Sequence, residues 1–144
     1  MATLVGWFMS KPAAPLEQEA PKHIHFSFRY LDTYSAKFGL GLCDAKYFHE
    51  LLARLKTLSG LTKKEFIALQ STGKNWRLHM IDWKNDKRLT EKTFGVAIEL
   101  TADETAWQFM ISKNHGRVHG FLIGNTFYIR WLDREHNLYG GSAD

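Results

Sequence analysis

Arg117, His119, His136 and Tyr139, spread over RVHGFLIG and WLDREHNLY near the end of the chain, are the side chains whose types suit covalent chemistry. An imidazole titrates near neutrality, so a pair of them supplies both a base and an acid there. A guanidinium donates two parallel hydrogen bonds to phosphate oxygens and stabilises the charge that builds on them. The set therefore suits metal-free cleavage of RNA. His119 and His136 would serve as base for the 2′-hydroxyl and acid for the leaving oxygen, Arg117 as the cation on the phosphorane-like centre, and Tyr139 as a stacking ring or proton donor. Two other uses compete. Arg117 has Asp133 and Glu135 as cross-sheet ion-pair partners, an arrangement worth under ~1 kcal/mol at a surface. His115, His119, Asp133 and His136 are all metal-ligand types, but no HExxH, cysteine pair or carboxylate cluster accompanies them, so neither a metal nor another cofactor is expected.

These residues must be positioned by strands. A period of two puts Arg117, His119 and Phe121 on one face of RVHGFLIG and Val118, Gly120 and Leu122 on the other. AWQFMISK, RVHGFLIG and TFYIRWLD are separated by Asn114 with Gly116 and by Gly124 with Asn125, which predicts an antiparallel meander. Its last hairpin would carry His136 back beside the start of the strand bearing Arg117. Upstream, HIHFSFRYLD alternates as a strand. Asp44 is a helix N-cap, followed by Tyr47, Phe48, Leu51, Leu52, Leu55 and Leu58 at helical spacing up to Gly60. Thr62 and Glu65 form a capping box ahead of Phe66, Ile67 and Leu69, which predicts a second, shorter helix. Residues 71–104 mix a strand-like WRLHMIDW, a polar NDKRLTEK and an apolar FGVAIELT, and carry no single period. All three prolines, Pro12, Pro15 and Pro21, fall in residues 1–22, which read as a tail or linker bearing Trp7 and Phe8; residues 23–144 read as a single α+β domain.

Composition narrows the partners. With 144 residues, 44% of them hydrophobic and 14% aromatic, the chain has apolar side chain enough for one core. The single cysteine, Cys43, leaves no internal disulfide and no zinc pair, as suits a reducing, cytoplasmic setting. No apolar run approaches the ~18 residues of a membrane span, and LVGWFM lacks the basic flank of a signal peptide, so no membrane partner is expected. Gly39 and Gly41 do not complete a dinucleotide-binding glycine motif. The net charge of +4 favours polyanions where it is concentrated. Lys56, Lys63, Lys64, Arg77 and Arg130 are the candidate RNA contacts. Lys74, Lys84, Lys87 and Arg88 add further charge, and Trp76, Trp83 and Trp131 interleave as rings able to stack on unpaired bases.

The order of strand, two helices and three-stranded meander, over about residues 23–70 and 107–139, resembles the RelE/ParE superfamily of bacterial toxins. Arg117 looks like that family's phosphate-contacting arginine, and His136 and Tyr139 look like the terminal histidine and tyrosine of its ribonuclease members. The resemblance implies a RelE-like mRNA interferase that acts without metal on ribosome-associated RNA and is restrained by an antitoxin. The chain departs from the family in the length of the 71–104 insertion, in its sparse lysine clustering and in His119, which has no assigned counterpart. Its ending also resembles small proteins of bacterial mobile elements. The reading from a different class is a non-catalytic protein-binding module of a defence or mobile-element system, gripping its partner through the sheet or through Trp7 and Phe8.

Overall fold

The structure is a computed structural model and describes residues 22–96 and 106–140. Trp7, Phe8, the three prolines and most of the apolar stretch 94–101 lie outside the described residues. The fold is α+β, with two helices and a five-stranded mixed sheet. In chain order the elements are β1 (His25–Ser27), α1 (Ala45–Ser59), α2 (Lys63–Ala68), β2 (His79–Met80), β3 (Ala106–Met110), β4 (Arg117–Ile123) and β5 (Thr126–Asp133), with 3-10 turns at Leu40–Leu42 and Leu69–Asn75. The sheet order is β1-β5-β4-β3-β2.

The local signals for the helices act as expected. Asp44 Oδ1 accepts from the Tyr47 amide at 2.8 Å, and the Thr62 and Glu65 side chains each accept from the other's backbone amide, at 3.2 and 2.9 Å. Thr62→Ala removes one of these bonds and is expected to cost about 1 kcal/mol, read as a lower urea midpoint at unchanged slope. Tyr47, Leu51, Leu55 and Leu58 form the buried stripe of α1.

The meander forms over β3, β4 and β5, all antiparallel. Gly124, at φ 59, and Asn125 make the two-residue turn joining Ile123 to its partner Thr126. At the other end of β4, Gly116 has φ 75, and a Cβ there would collide with the Asp133 and Arg134 carbonyls. The N-terminal strand is shorter than the alternation of HIHFSFRYLD suggests. Its backbone turns after Ser27, where Arg29 donates to Ser27 Oγ and Leu31 to the Phe28 carbonyl. What remains pairs in parallel with β5, making the sheet mixed. Of WRLHMIDW only His79–Met80 is strand, at the β3 edge.

Both faces of the central strands are covered. On one side α1 and α2 bring Tyr47, Leu51, Leu55, Leu58 and Phe66 against Trp107, Phe109, Val118, Leu122, Phe127 and Ile129. On the other, irregular segments bring Phe38, Ile81, Phe94 and Leu138 against Ala106, Phe121 and Trp131. The division follows the period of two, with Val118 and Leu122 on the helix side and Phe121 opposite. Between His119 and Gly120 the pairing slips by a bulge, so that Arg130 stands between the partners of those two residues. Gly120 is required there, since a Cβ would run into the Tyr128 carbonyl and the Phe127 ring.

Candidate functional site

The register brings polar residues into one row on the sheet face opposite the helices. His79 pairs with Gln108, Gln108 with His119, and His119 with Trp131; Arg117 pairs with Asp133 one step further along. His119 and Asp133 are both 0% exposed, and His119 Nε2 lies 2.9 Å from Asp133 Oδ2. An ionised carboxylate only accepts, so the imidazole carries its proton on Nε2 and donates it.

Asp133 does more than hold one ring. The chain turns after β5, with the His136 amide donating to the Asp133 carbonyl and His136 in the left-handed region at φ 59. That turn aims the Asn137 amide at Asp133 Oδ1, at 2.6 Å, and the Leu138 amide at Oδ2, at 2.9 Å. Burial pushes the Asp133 carboxyl up, but the bonds from His119 and the two amides outweigh it and hold it below the usual carboxylate range. Beyond the turn, Leu138 and Tyr139 insert against the sheet. The Thr90 amide bonds to the Leu138 carbonyl and the Gly140 amide to the Arg88 carbonyl, each at 2.7 Å. These bonds fasten the 82–94 segment over the polar row.

The Tyr139 ring is the hub of the cluster. His79 lies 5.8 Å from it, His136 6.3 Å and His119 6.4 Å between ring centroids, and the Arg88 guanidinium carbon lies 5.1 Å above it. Arg88 is itself held by Asp86 through two bonds of 3.0 and 2.8 Å. His119, His136 and Tyr139 thus lie around one another. His79, Arg88 and Gln108 join them with no warning in the sequence, because they sit on segments without clear period or on a strand whose register is set by distant residues.

Accessibility differs from what RNA chemistry through these groups requires. His119 is sealed, Tyr139 is 2% exposed and Arg117 is 7% exposed, with its Nη1 donating to the Gly116 carbonyl. Placed so, His119 does not reach a 2′-hydroxyl and Arg117 does not offer its fork to a phosphate; burial under the 134–140 segment is the reason. Arg130 is likewise occupied. Its Nε donates to the Phe94 carbonyl at 2.8 Å and its Nη1 to the Tyr30 carbonyl at 2.9 Å, strapping two covering loops to β5. Arg77 is half-buried at φ 47, and its carbonyl accepts from Gln108. Lys56, Lys63 and Lys64 stand in solvent at the junction of α1 and α2. The alternative metal set does not assemble: His115 faces Ser112 Oγ at 2.6 Å, and among the described residues no three His, Cys, Asp or Glu side chains converge on one point.

Cys43 is no activated nucleophile, because burial pushes its thiol up against the opposing pull of Arg134. Iodoacetamide at neutral pH is expected to alkylate it more slowly than in urea-unfolded chain, which mass spectrometry against time would read. No helix among the described residues is long and apolar enough to cross a membrane. Comparison with protein-family models, with curated proteins and with solved structures gives no match.

Proposed function

We propose that this chain is a non-catalytic protein-binding module, whose partner adds an extended segment with alternating apolar side chains along β1, at the end of the sheet order. One observation carries the reading: Arg117, His119 and Tyr139 are packed inside as structural ties, while large apolar side chains stay outside around α1 and β1. Leu52 is 60% exposed and lies one helical turn from Phe48, also exposed; Phe28, directly after β1, is 50% exposed. α1 packs against β1, and among the described residues β1 pairs with one strand, β5. An edge strand beside exposed apolar side chains is the arrangement by which an added strand gains affinity from its backbone and specificity from alternate side chains. A photo-cross-linking residue at Leu52 or Phe28, introduced in the native host, is expected to trap one dominant protein in stoichiometric yield. The same residue at Lys64 should trap none. No adduct at either site, or equal capture at Lys64, ends the proposal.

A second reading, metal-free RNA cleavage in a RelE/ParE-like layout, is favoured by the half-buried His79 and His136 and the exposed Arg88 that flank Tyr139. In that reading His79 and His136 are the acid and base, Arg88 is the cation, and the Asp133–His119 pair holds Tyr139 between them. RNA associated with the ribosome and an antitoxin would then be the partners. Induced expression should arrest growth and leave cleaved RNA, with His136→Ala and Arg88→Ala each restoring growth. Harmless expression of the folded protein, with no cleavage of free or ribosome-bound RNA, rules it out.

A further inference from the structure

On the α1 flank away from Phe48 and Leu52, a cleft of about 210 Å³ opens between the helix and the end of β3, lined by Glu50, Ala53, Arg54, Thr57, Ile111 and Ser112. We propose that this cleft binds a small zwitterion, with its oxyanion on the Arg54 guanidinium and Ser112 hydroxyl and its ammonium on Glu50. The inference stands apart from the binding-module reading and uses none of its residues.

Arg54 is already positioned for such a task. Its Nε donates to the Ile111 carbonyl at 3.0 Å, and its guanidinium carbon lies 4.1 Å from the centre of the Trp76 ring. One edge and one face of the planar group are therefore used, and the two terminal nitrogens have no protein partner among the described residues. This leaves the fork that grips an oxyanion through two bonds, on a side chain whose rotamer entropy is largely spent before any ligand arrives. Ser112 Oγ is fixed at the mouth by His115 Nδ1, 2.6 Å away, and in the tautomer whose Nδ1–H donates to Oγ the hydroxyl proton is left for the ligand.

Glu50 decides the class of ligand. It precedes Arg54 by four residues on the same helix, the spacing and order at which glutamate and arginine ordinarily pair. No ion pair forms between them, because Arg54 is drawn across to Ile111 and Trp76. Two opposite charges thus line one small cleft, each within the other's Coulombic field but not in direct contact. A simple anion gains from Arg54 but is repelled by Glu50, and a simple cation meets the reverse. A ligand that carries both charges a few bonds apart satisfies each. The cleft falls below the ~300 Å³ at which drug-sized sites begin, which suits a ligand no larger than a small amino acid or an amino-phosphate head group.

The test is a titration of the ¹⁵N-labelled full chain, reading the Arg54 Nε–H resonance, with L-alanine and O-phosphoethanolamine as zwitterions and acetate, inorganic phosphate and ammonium as single-charge controls. At least one zwitterion should shift the resonance saturably and bind about tenfold or more tightly than the matching single ions, equivalent to one charge contact of about 1.4 kcal/mol. Which of the two binds more tightly identifies the oxyanion as carboxylate or phosphate. Glu50→Gln should reduce the zwitterion to the level of its single-charge control, and Ser112→Ala should weaken it further. Equal responses to alanine and acetate and to phosphoethanolamine and phosphate, no saturation by either zwitterion, or full binding in Glu50→Gln would overturn the proposal. Glu50 is half-buried and packs no core, so its variant remains informative where one at Arg54 unfolds.

Discussion

Asp133→Ala is expected to lower the folding free energy by about 3–5 kcal/mol, a large part of the total for a domain of this size. The carboxylate accepts from the His119 ring and the Leu138 amide in space removed from water, and from the Asn137 amide in a partly buried setting. Its removal strands three donors at once, each costly to leave unmet. It also frees the turn that seats Leu138 and Tyr139 and, through Thr90 and Gly140, the segment covering the sheet. Calorimetry should show the transition about 10–20 °C lower. The sign with pH follows from the depressed carboxyl. Stability from Asp133 is fully present above the unfolded carboxyl value of about 4 and is lost as pH falls through the lower folded value. The gap between the native chain and Asp133→Asn should therefore narrow on acidification below about pH 4. A gap independent of pH would mean that the carboxylate charge is not what holds the turn.

Leu52→Glu carries the second large effect, in binding instead of stability. A side chain 60% exposed contributes little to the fold, so the folding free energy from urea titration should change by no more than about 0.5 kcal/mol. An anchor at the centre of a protein interface is worth about 2 kcal/mol or more, so the affinity for the cross-linked partner should fall about thirtyfold or further. Phe28→Glu should act in the same direction, and the two together should abolish the complex. Loss of the complex with equal loss of stability would assign these residues to the fold, and an unchanged affinity would remove α1 and β1 from the interface.

How far the sequence foretells this molecule depends on how local the determinants are. The caps at Asp44 and Thr62, the apolar stripe of α1 and the Gly124–Asn125 hairpin rest on contacts within a few residues, and each is legible. So is the division of β4 into two faces. What alternation does not reveal is whether a face meets water or another layer. Arg117 and His119 on one side of a strand read as a solvated, reactive face. Their cover comes from residues 82–94 and 134–140, irregular segments whose place is set by Thr90, Gly140 and the Asp133 carboxylate, not by any period. The parallel pairing of β1 with β5 was hidden for the same reason, since its partner lies about a hundred residues away. His79 and Arg88 reach Tyr139 only once that cover has formed. Arg54 carried no signal in the sequence beyond its place on a helix, and its role arises from where Ile111 and Trp76 fall.

The imidazole of His119 is first of all a buried structural donor. Nitrogen-resolved NMR of the imidazole groups in water at neutral pH and room temperature tests this directly, because a ring N–H shows a signal only when shielded from exchange. A sharp His119 Nε2–H resonance, unaltered by added RNA and lost in Asp133→Ala, is the result the account requires. Its absence in the folded native chain, or its disappearance when RNA is added, would contradict the account and return His119 to the list of groups that meet substrate.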